Sequence, residues 1–186
     1  MCTANSSCQM SICDGDQVFD SQMPTCQCQE GTKCPIDKGT VPEQTVIRHI
    51  GTKHDSPLLV LKYCKPLYTE KMRICEKNEV TMSFQGSSLI LSNVANVYCR
   101  CPEHGPIFLS SSITKGVTKN ENYTCFMPTC DVSDINHSCS RETVRNIINV
   151  QRNDTCRCPK NHTCKLAQKT LSTIRQFQCQ PDSHSV

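Results

Sequence analysis

Seventeen cysteines in a chain of 186 residues constrain the fold more than any other feature. Cysteine at that density in a short chain marks a scaffold held by disulfides rather than by one large apolar core. The cysteines are also patterned. Cys2, Cys8, Cys13, Cys26, Cys28 and Cys34 are separated by 5, 4, 12, 1 and 5 residues, and Cys125, Cys130, Cys139, Cys156, Cys158 and Cys164 by 4, 8, 16, 1 and 5. Between these blocks Cys64, Cys75, Cys99 and Cys101 form a reduced copy with gaps of 10, 23 and 1. Short words recur: Met-Pro-Thr-Cys at 23–26 and 127–130, and Cys-Arg-Cys-Pro at 99–102 and 156–159. A C-x-C in each of three blocks signals duplication. It predicts three modules, 1–56, 57–118 and 119–186, joined at polar seams around 51–57 and 110–122. Modules of this size are marginal without bridges.

Bridges closed within each module pair sixteen cysteines and leave Cys179 as the candidate unpaired one, with Cys2 the other suspect. The connectivity itself stays open, because six cysteines allow many pairings. The odd cysteine leaves open a disulfide-linked dimer. Adjacent members of a C-x-C point to opposite faces of an extended chain and should bond to different elements.

The apolar fraction, 37% with the cysteines included, contains no Trp and nine other aromatics. Its pattern is strand-like. Glu79–Phe84 alternates, placing Val80, Met82 and Phe84 on one face, and with 88–98 predicts a hairpin turning at Gln85-Gly86. Thr45–Ile50 and Leu58–Tyr63 read as strands. Arg141–Arg152 carries a helical spacing at Val144, Ile147 and Ile148, but valine, isoleucine and asparagine favour β there; Lys165–Phe177 has the same ambiguity. The expected fold is a small disulfide-rich, mainly β protein of three related modules, with short hairpins, long loops and little helix.

Oxidised cysteines imply an extracellular compartment. Five N-x-[ST] sequons, at Asn5, Asn122, Asn136, Asn153 and Asn161, agree, and each is followed directly by a cysteine. No charged segment and apolar stretch follow Met1, as expected of a mature secreted chain. No apolar run is long enough to span a bilayer, and a net charge of +3 is too small and scattered for nucleic acid. No catalytic motif is present. The six histidines are dispersed, and a C-x-C is too close-set for the usual zinc knuckle. The chain therefore reads as neither an enzyme nor a metal or cofactor protein. Basic residues gather at Lys62, Lys65, Lys71, Arg73 and Lys77, and at Arg152, Arg157, Lys160, Lys165 and Lys169. Ordinary surface charge explains them, and steering toward an acidic partner is the functional alternative. Tyr63, Tyr68, Phe108, Tyr123 and Phe126 lie near the seams, as anchors for a partner or as packing against bridges.

The block beginning at Cys125, C-x4-C-x8-C-x16-C-x-C-x5-C, resembles an EGF-like motif. It departs from that motif in a long loop from Cys139 to Cys156 and a short one from Cys158 to Cys164. Repeated in a cysteine-rich chain, this framework resembles the Argos (giant-lens) family of insect EGF-ligand antagonists, with the Cys-Arg-Cys-Pro words as its most specific element. The resemblance implies three small β-rich modules that clamp a growth factor and withhold it from its receptor. The residues do not align one by one, so no binding residue follows from it. The framework is also similar to the large multi-disulfide centipede venom toxins of the scoloptoxin-11 type. The leading expectation is a secreted protein that sequesters an EGF-like growth factor or blocks its receptor. The alternatives are a toxin acting on an ion channel or haemostasis, and a protease inhibitor. In each case the partner is an extracellular protein.

Overall fold

The computed structural model describes residues 1–2, 5–20, 25–35, 41–50, 56–87, 94–133, 138–146, 149–167 and 173–182. Among the described residues twelve strands form, and the short 3-10 turns Pro42–Gln44 and Pro102–His104 are the helical segments. The strands fall into three sets of four. The first holds β1 (Ser7–Asp14), β2 (Gln17–Asp20), β3 (Thr45–His49) and β4 (Leu58–Tyr63). The second holds β5 (Val80–Ser87), β6 (Val94–Val97), β7 (Phe108–Lys115) and β8 (Thr118–Thr124). The third holds β9 (Ser140–Asn146), β10 (Asn149–Asp154), β11 (His162–Leu166) and β12 (Ile174–Pro181).

All ladders between these strands are antiparallel, and the order is β2-β1-β4-β3 in one sheet and β11-β12-β9-β10-β7-β8-β5-β6 in the other. The same path therefore occurs three times: a hairpin, whose first strand pairs with the last strand of the set, which pairs with the third. The second and third sets join edge to edge through β7 and β10. Gly116 (φ +60°) makes the tight turn between β7 and β8, a conformation glycine adopts without steric cost.

Eight bridges repeat this path. Cys2–Cys26, Cys75–Cys99 and Cys130–Cys156 tie the lead-in of each set to the first cysteine of its C-x-C. Cys28–Cys64, Cys101–Cys125 and Cys158–Cys179 tie the second cysteine to the last strand or its end. Cys8–Cys34 and Cys139–Cys164 add a third staple to the outer two sets. Main-chain bonds match position for position. The N–H groups of Cys2, Cys75 and Cys130 donate to Gln27, Arg100 and Arg157 at 2.7, 3.0 and 2.8 Å; those of Thr25, Tyr98 and Thr155 donate to Cys8, Thr81 and Cys139 at 3.0, 2.9 and 3.0 Å.

Thr81 thus stands in the middle set where the others have Cys8 and Cys139. Ile107 follows Cys101 at the same interval as Cys34 follows Cys28 and Cys164 follows Cys158. Thr81 and Ile107 are both buried, and the Thr81 hydroxyl donates to the Cys99 carbonyl at 2.7 Å. A hydrogen-bonded hydroxyl and an isoleucine occupy the place of the missing bridge.

Three expectations need correction. Cys179 is not the unpaired cysteine: from β12 it bridges Cys158, and the free thiol is Cys13. Cys13 sits in β1 opposite Val18 on one side and Leu58 on the other, so no cysteine faces it. Second, Leu58–Tyr63 lies inside the first sheet, between β1 and β3, and the bridges Cys28–Cys64 and Cys101–Cys125 cross both sequence-drawn seams. Third, Gln85 and Gly86 continue β5 and pair with Asn120 and Lys119 of β8, so the chain does not turn there. The alternation of Met82 and Phe84 holds, and Arg141–Arg152 supplies β9 and β10. Ile147, Ile148, the first part of 88–98 and most of the 51–57 seam lie outside the described residues.

The cores differ in kind. Val46, Leu59, Leu61 and Tyr63 from the first set pack with Met82, Phe84, Ala95, Cys101, Ile107 and Tyr123 from the second. In the third set the buried cluster is Cys130, Cys139, Cys156 and Cys158, with Cys164, Phe177 and Cys179 against it.

Candidate binding face

The long sheet has two faces, and register decides which residue lies on which, because residues directly opposite in a ladder point the same way. One row runs Phe84, Glu121, Ser112, Arg152, Glu142, Arg175 across β5, β8, β7, β10, β9 and β12. This is the inner face, on which the first sheet sits. The joint is Arg48 of β3. Its Nη1 lies 3.3 Å from Glu121 Oε2 and donates to the Tyr123 hydroxyl at 2.9 Å. Its guanidinium also lies over the rings of Phe84 and Tyr123. Arg48 and Glu121 are both buried, and Lys119 gives Glu121 a second partner at 2.6 Å. A buried charge is tolerable only with such complete pairing. Alongside it, the His49 N–H donates to the Ile107 carbonyl and the Ile107 N–H to the Ile47 carbonyl, at 3.1 and 2.8 Å. The His49 ring stacks on Phe108 with centroids 4.6 Å apart.

Burial holds the Tyr63, Tyr68 and Tyr123 phenols well above the ordinary tyrosine range; the Arg48 charge opposes this at Tyr63 and Tyr123. These three are core residues rather than exposed anchors. Phe108 is half-buried, beneath Arg157 as well as beside His49. Phe126 is exposed and carries the Lys77 ammonium 5.5 Å from its ring centre.

Beyond the joint, the same inner face carries apolar residues of the third set. Val150 of β10 pairs with Val144 of β9, and Phe177 of β12 lies on the same side two positions from Arg175. All three are half-buried. Around them Arg152 Nε donates to Asp154 at 2.8 Å, the Arg152 guanidinium lies over the Phe177 ring, and Arg175 sits 3.6 Å from Glu142. The result is a short apolar strip of Val144 and Val150, divided from Phe177 by the charged row Arg152, Glu142 and Arg175.

The opposite, outer face carries a row that is polar from β6 to β12. Its row is Asn96, Ser83, Asn122, Ser111, Asn153, Arg141 and Gln176. The sequence-predicted sequon residues divide accordingly. Asn122 and Asn153 belong to this row, Asn5 and Asn161 sit exposed in turns, and Asn136 lies outside the described residues.

Several members of the predicted basic clusters are engaged with other side chains. Arg73 and Glu79 pair through both guanidinium nitrogens, one contact at 2.7 Å. That hydrogen bond, with the Glu76 N–H second, lowers the Glu79 carboxyl to about 2. Arg152 and Arg157 lie over aromatic rings, and Lys169 is outside the described residues. Groups of sulfurs close enough to hold a metal, such as Cys2, Cys28 and Cys64 or Cys139, Cys158 and Cys164, belong to neighbouring bridges. Oxidised sulfur is not the thiolate that zinc requires. A hollow of about 390 Å³ lined by Glu43, Tyr68, Glu70, Arg100 and His104 opens at the edge of the joint. Sequence reasoning missed the buried Arg48–Glu121 pair and the inner strip. No local pattern marks a contact set by long-range register.

No helix among the described residues is long and apolar enough to cross a membrane. No family model and no curated protein matches the chain. Among solved structures, one titled "Crystal Structure of unliganded Argos" is similar at a TM-score of 0.47 and 21% identity, over 97% of this chain and 91% of that one.

Proposed function

We propose that this chain is a secreted, non-enzymatic binding protein. Its three modules, with seams moved to follow the bridges as Cys2–Cys64, Cys75–Cys125 and Cys130–Cys179, form a rigid holder for an extracellular protein ligand. The observation that carries the reading is the half-buried inner strip of Val144 and Val150. It is an apolar patch beside paired charges, and a small apolar centre with a polar rim is what a protein partner meets at an interface. The bridges that anchor the ends of β9, β10 and β12 hold these strands in place and lower the entropy cost of binding. The cysteine spacing resembles that of the antagonists of EGF-like growth factors, which makes such a factor the first ligand to test, with occlusion from its receptor as the mechanism.

The test is surface plasmon resonance with the full glycosylated chain immobilised and a panel of EGF-like growth-factor domains and receptor ectodomains in solution. At least one growth factor should bind. Val150→Glu should weaken that binding about tenfold or more, while Gln151→Glu, one residue along on the outer face, should leave it unchanged. Failure of every EGF-like domain would sink the growth-factor assignment. Equal effects of the two substitutions would sink the assignment of the face.

A further inference from the structure

Four sequon asparagines lie among the described residues, and their backbones separate them into two kinds. Asn5 and Asn161 have φ of +64° and +60°. Asparagine is one of the few residues that enters this left-handed region readily, so their identity has a backbone explanation. Asn122 and Asn153 have none. They lie inside β8 and β10, where asparagine is a disfavoured residue. Both nevertheless fall on the outer face, in one row, on either side of Ser111 of β7. That places them two strands apart, or roughly 10 Å. Each has Thr two residues on, Thr124 and Thr155, and Asn153 is exposed. The surrounding face is built for water. In the next row Gln85, Asn120, Gln151 and Thr143 continue the polar surface, Ile113 is the apolar break close to both asparagines, and Val94 and Ile174 stand at the row's two ends.

We propose that Asn122 and Asn153 carry N-linked glycans and that these two sugars together cover the outer face of the long sheet. In each transfer Nδ2 of the asparagine forms a bond to C1 of the first sugar. The bond from C1 to the oxygen of a lipid pyrophosphate donor breaks, the lipid pyrophosphate leaves with the electron pair, and one amide proton is lost to base. The amide nitrogen keeps its other hydrogen. At Asn122 that hydrogen can go on donating to Ser111 Oγ, 3.2 Å away in the unmodified side chain, so the sugar and the strand geometry are compatible. A glycan is bulky and stays in solvent. Two of them flanking one strand close this face to protein partners and leave the inner face open. The assignment goes beyond the ligand reading and stands or falls without it.

The decisive experiment is glycopeptide mass spectrometry on the full chain secreted from a glycosylating eukaryotic host. An amidase would be used in heavy-oxygen water, so that each occupied asparagine is recovered as labelled aspartate. Asn122 and Asn153 should both be recovered mainly as labelled aspartate. Asn122→Gln and Asn153→Gln should each remove one glycan from the intact mass. The coverage is read separately by hydroxyl-radical footprinting before and after sugar removal. Oxidation of Ile113 should rise roughly twofold or more once a bulky glycan is gone, while oxidation of Val150 on the inner face should not change. Recovery of either asparagine unmodified from folded, secreted protein would overturn the site assignment, and this readout needs no variant to fold. An Ile113 signal indifferent to sugar removal would overturn the coverage.

Discussion

The second and third four-strand sets follow the same path and are stabilised in different ways. In the second set, Thr81 and Ile107 fill the place of a bridge, and the set packs its inner face against Val46, Leu59, Leu61 and Tyr63 of the first sheet. In the third set that place holds Cys139–Cys164, and the buried cluster is almost entirely sulfur, with Phe177 at its edge. The difference shows what a staple replaces. A set that gains apolar cover from a neighbour can give up a bridge. A set outside that shared core keeps one, because burial at ~25 cal/mol per Å² needs a partner surface to remove from water. The inner face proposed for ligand binding and the extra bridge are thus two sides of one requirement.

The comparison is broken most severely by removing the staple where nothing else substitutes for it. Replacing Cys139 and Cys164 together by alanine should cost ~2–5 kcal/mol. The loss should be local: amide exchange in β9–β12 should speed up strongly, while β1, β4, β5 and β8 keep their protection. Uniform loosening of the whole molecule in hydrogen-exchange mass spectrometry would show instead that the third set shares the common core. Next in size is Ile107→Ala, which empties the corresponding position of the second set at ~2–5 kcal/mol for a buried isoleucine. Because Ile107 also bonds through its main chain to Ile47 and His49, this loss should appear as a lower denaturant midpoint for the first and second sets together. A midpoint shift confined to the second set would mean that the two sheets are only docked.

How much of this was legible in the sequence follows from how far apart the partners are. Alternation in Val80–Phe84 and the apolar run at Leu58–Tyr63 report local geometry, and both strands form as expected. The C-x-C words fall at matching points of the three sets, with each cysteine of every pair closing a bridge. The frame that spacing draws around them is off by one cysteine in each outer block, because it includes Cys13 and groups Cys125 with the third block. Cys13 belongs to no bridge, and Cys125 closes the second set against Cys101. Spacing alone cannot show that, since a bridge depends on which strands lie side by side. The same holds for Gly86, which looked like a turn because glycine favours turns, yet sits in a strand held on its β8 side by Lys119. Arg48 and Glu121 are 73 positions apart, and neither has a neighbour pattern that announces burial. The inner strip was equally hidden, because its composition depends on the register of β7 against β10.

The smallest predicted effect tests the corrected frame itself. If Cys8 corresponds to Cys139, then Cys13 corresponds to Val144, each five residues further along its strand. Val144 is half-buried, as Cys13 is. A free cysteine in such a place behaves as a small apolar residue. Cys13→Val should therefore change stability by no more than about 0.5 kcal/mol, the range of substitutions that disturb no core, cap or network. It should also abolish alkylation of the native protein, leaving sixteen cysteines that react only after reduction. If Cys13 were instead needed in a bridge, the same variant would lose midpoint stability by several times that amount, and a new free thiol would appear elsewhere. Alkylation followed by peptide mapping separates the two outcomes directly, because it names the cysteine left over.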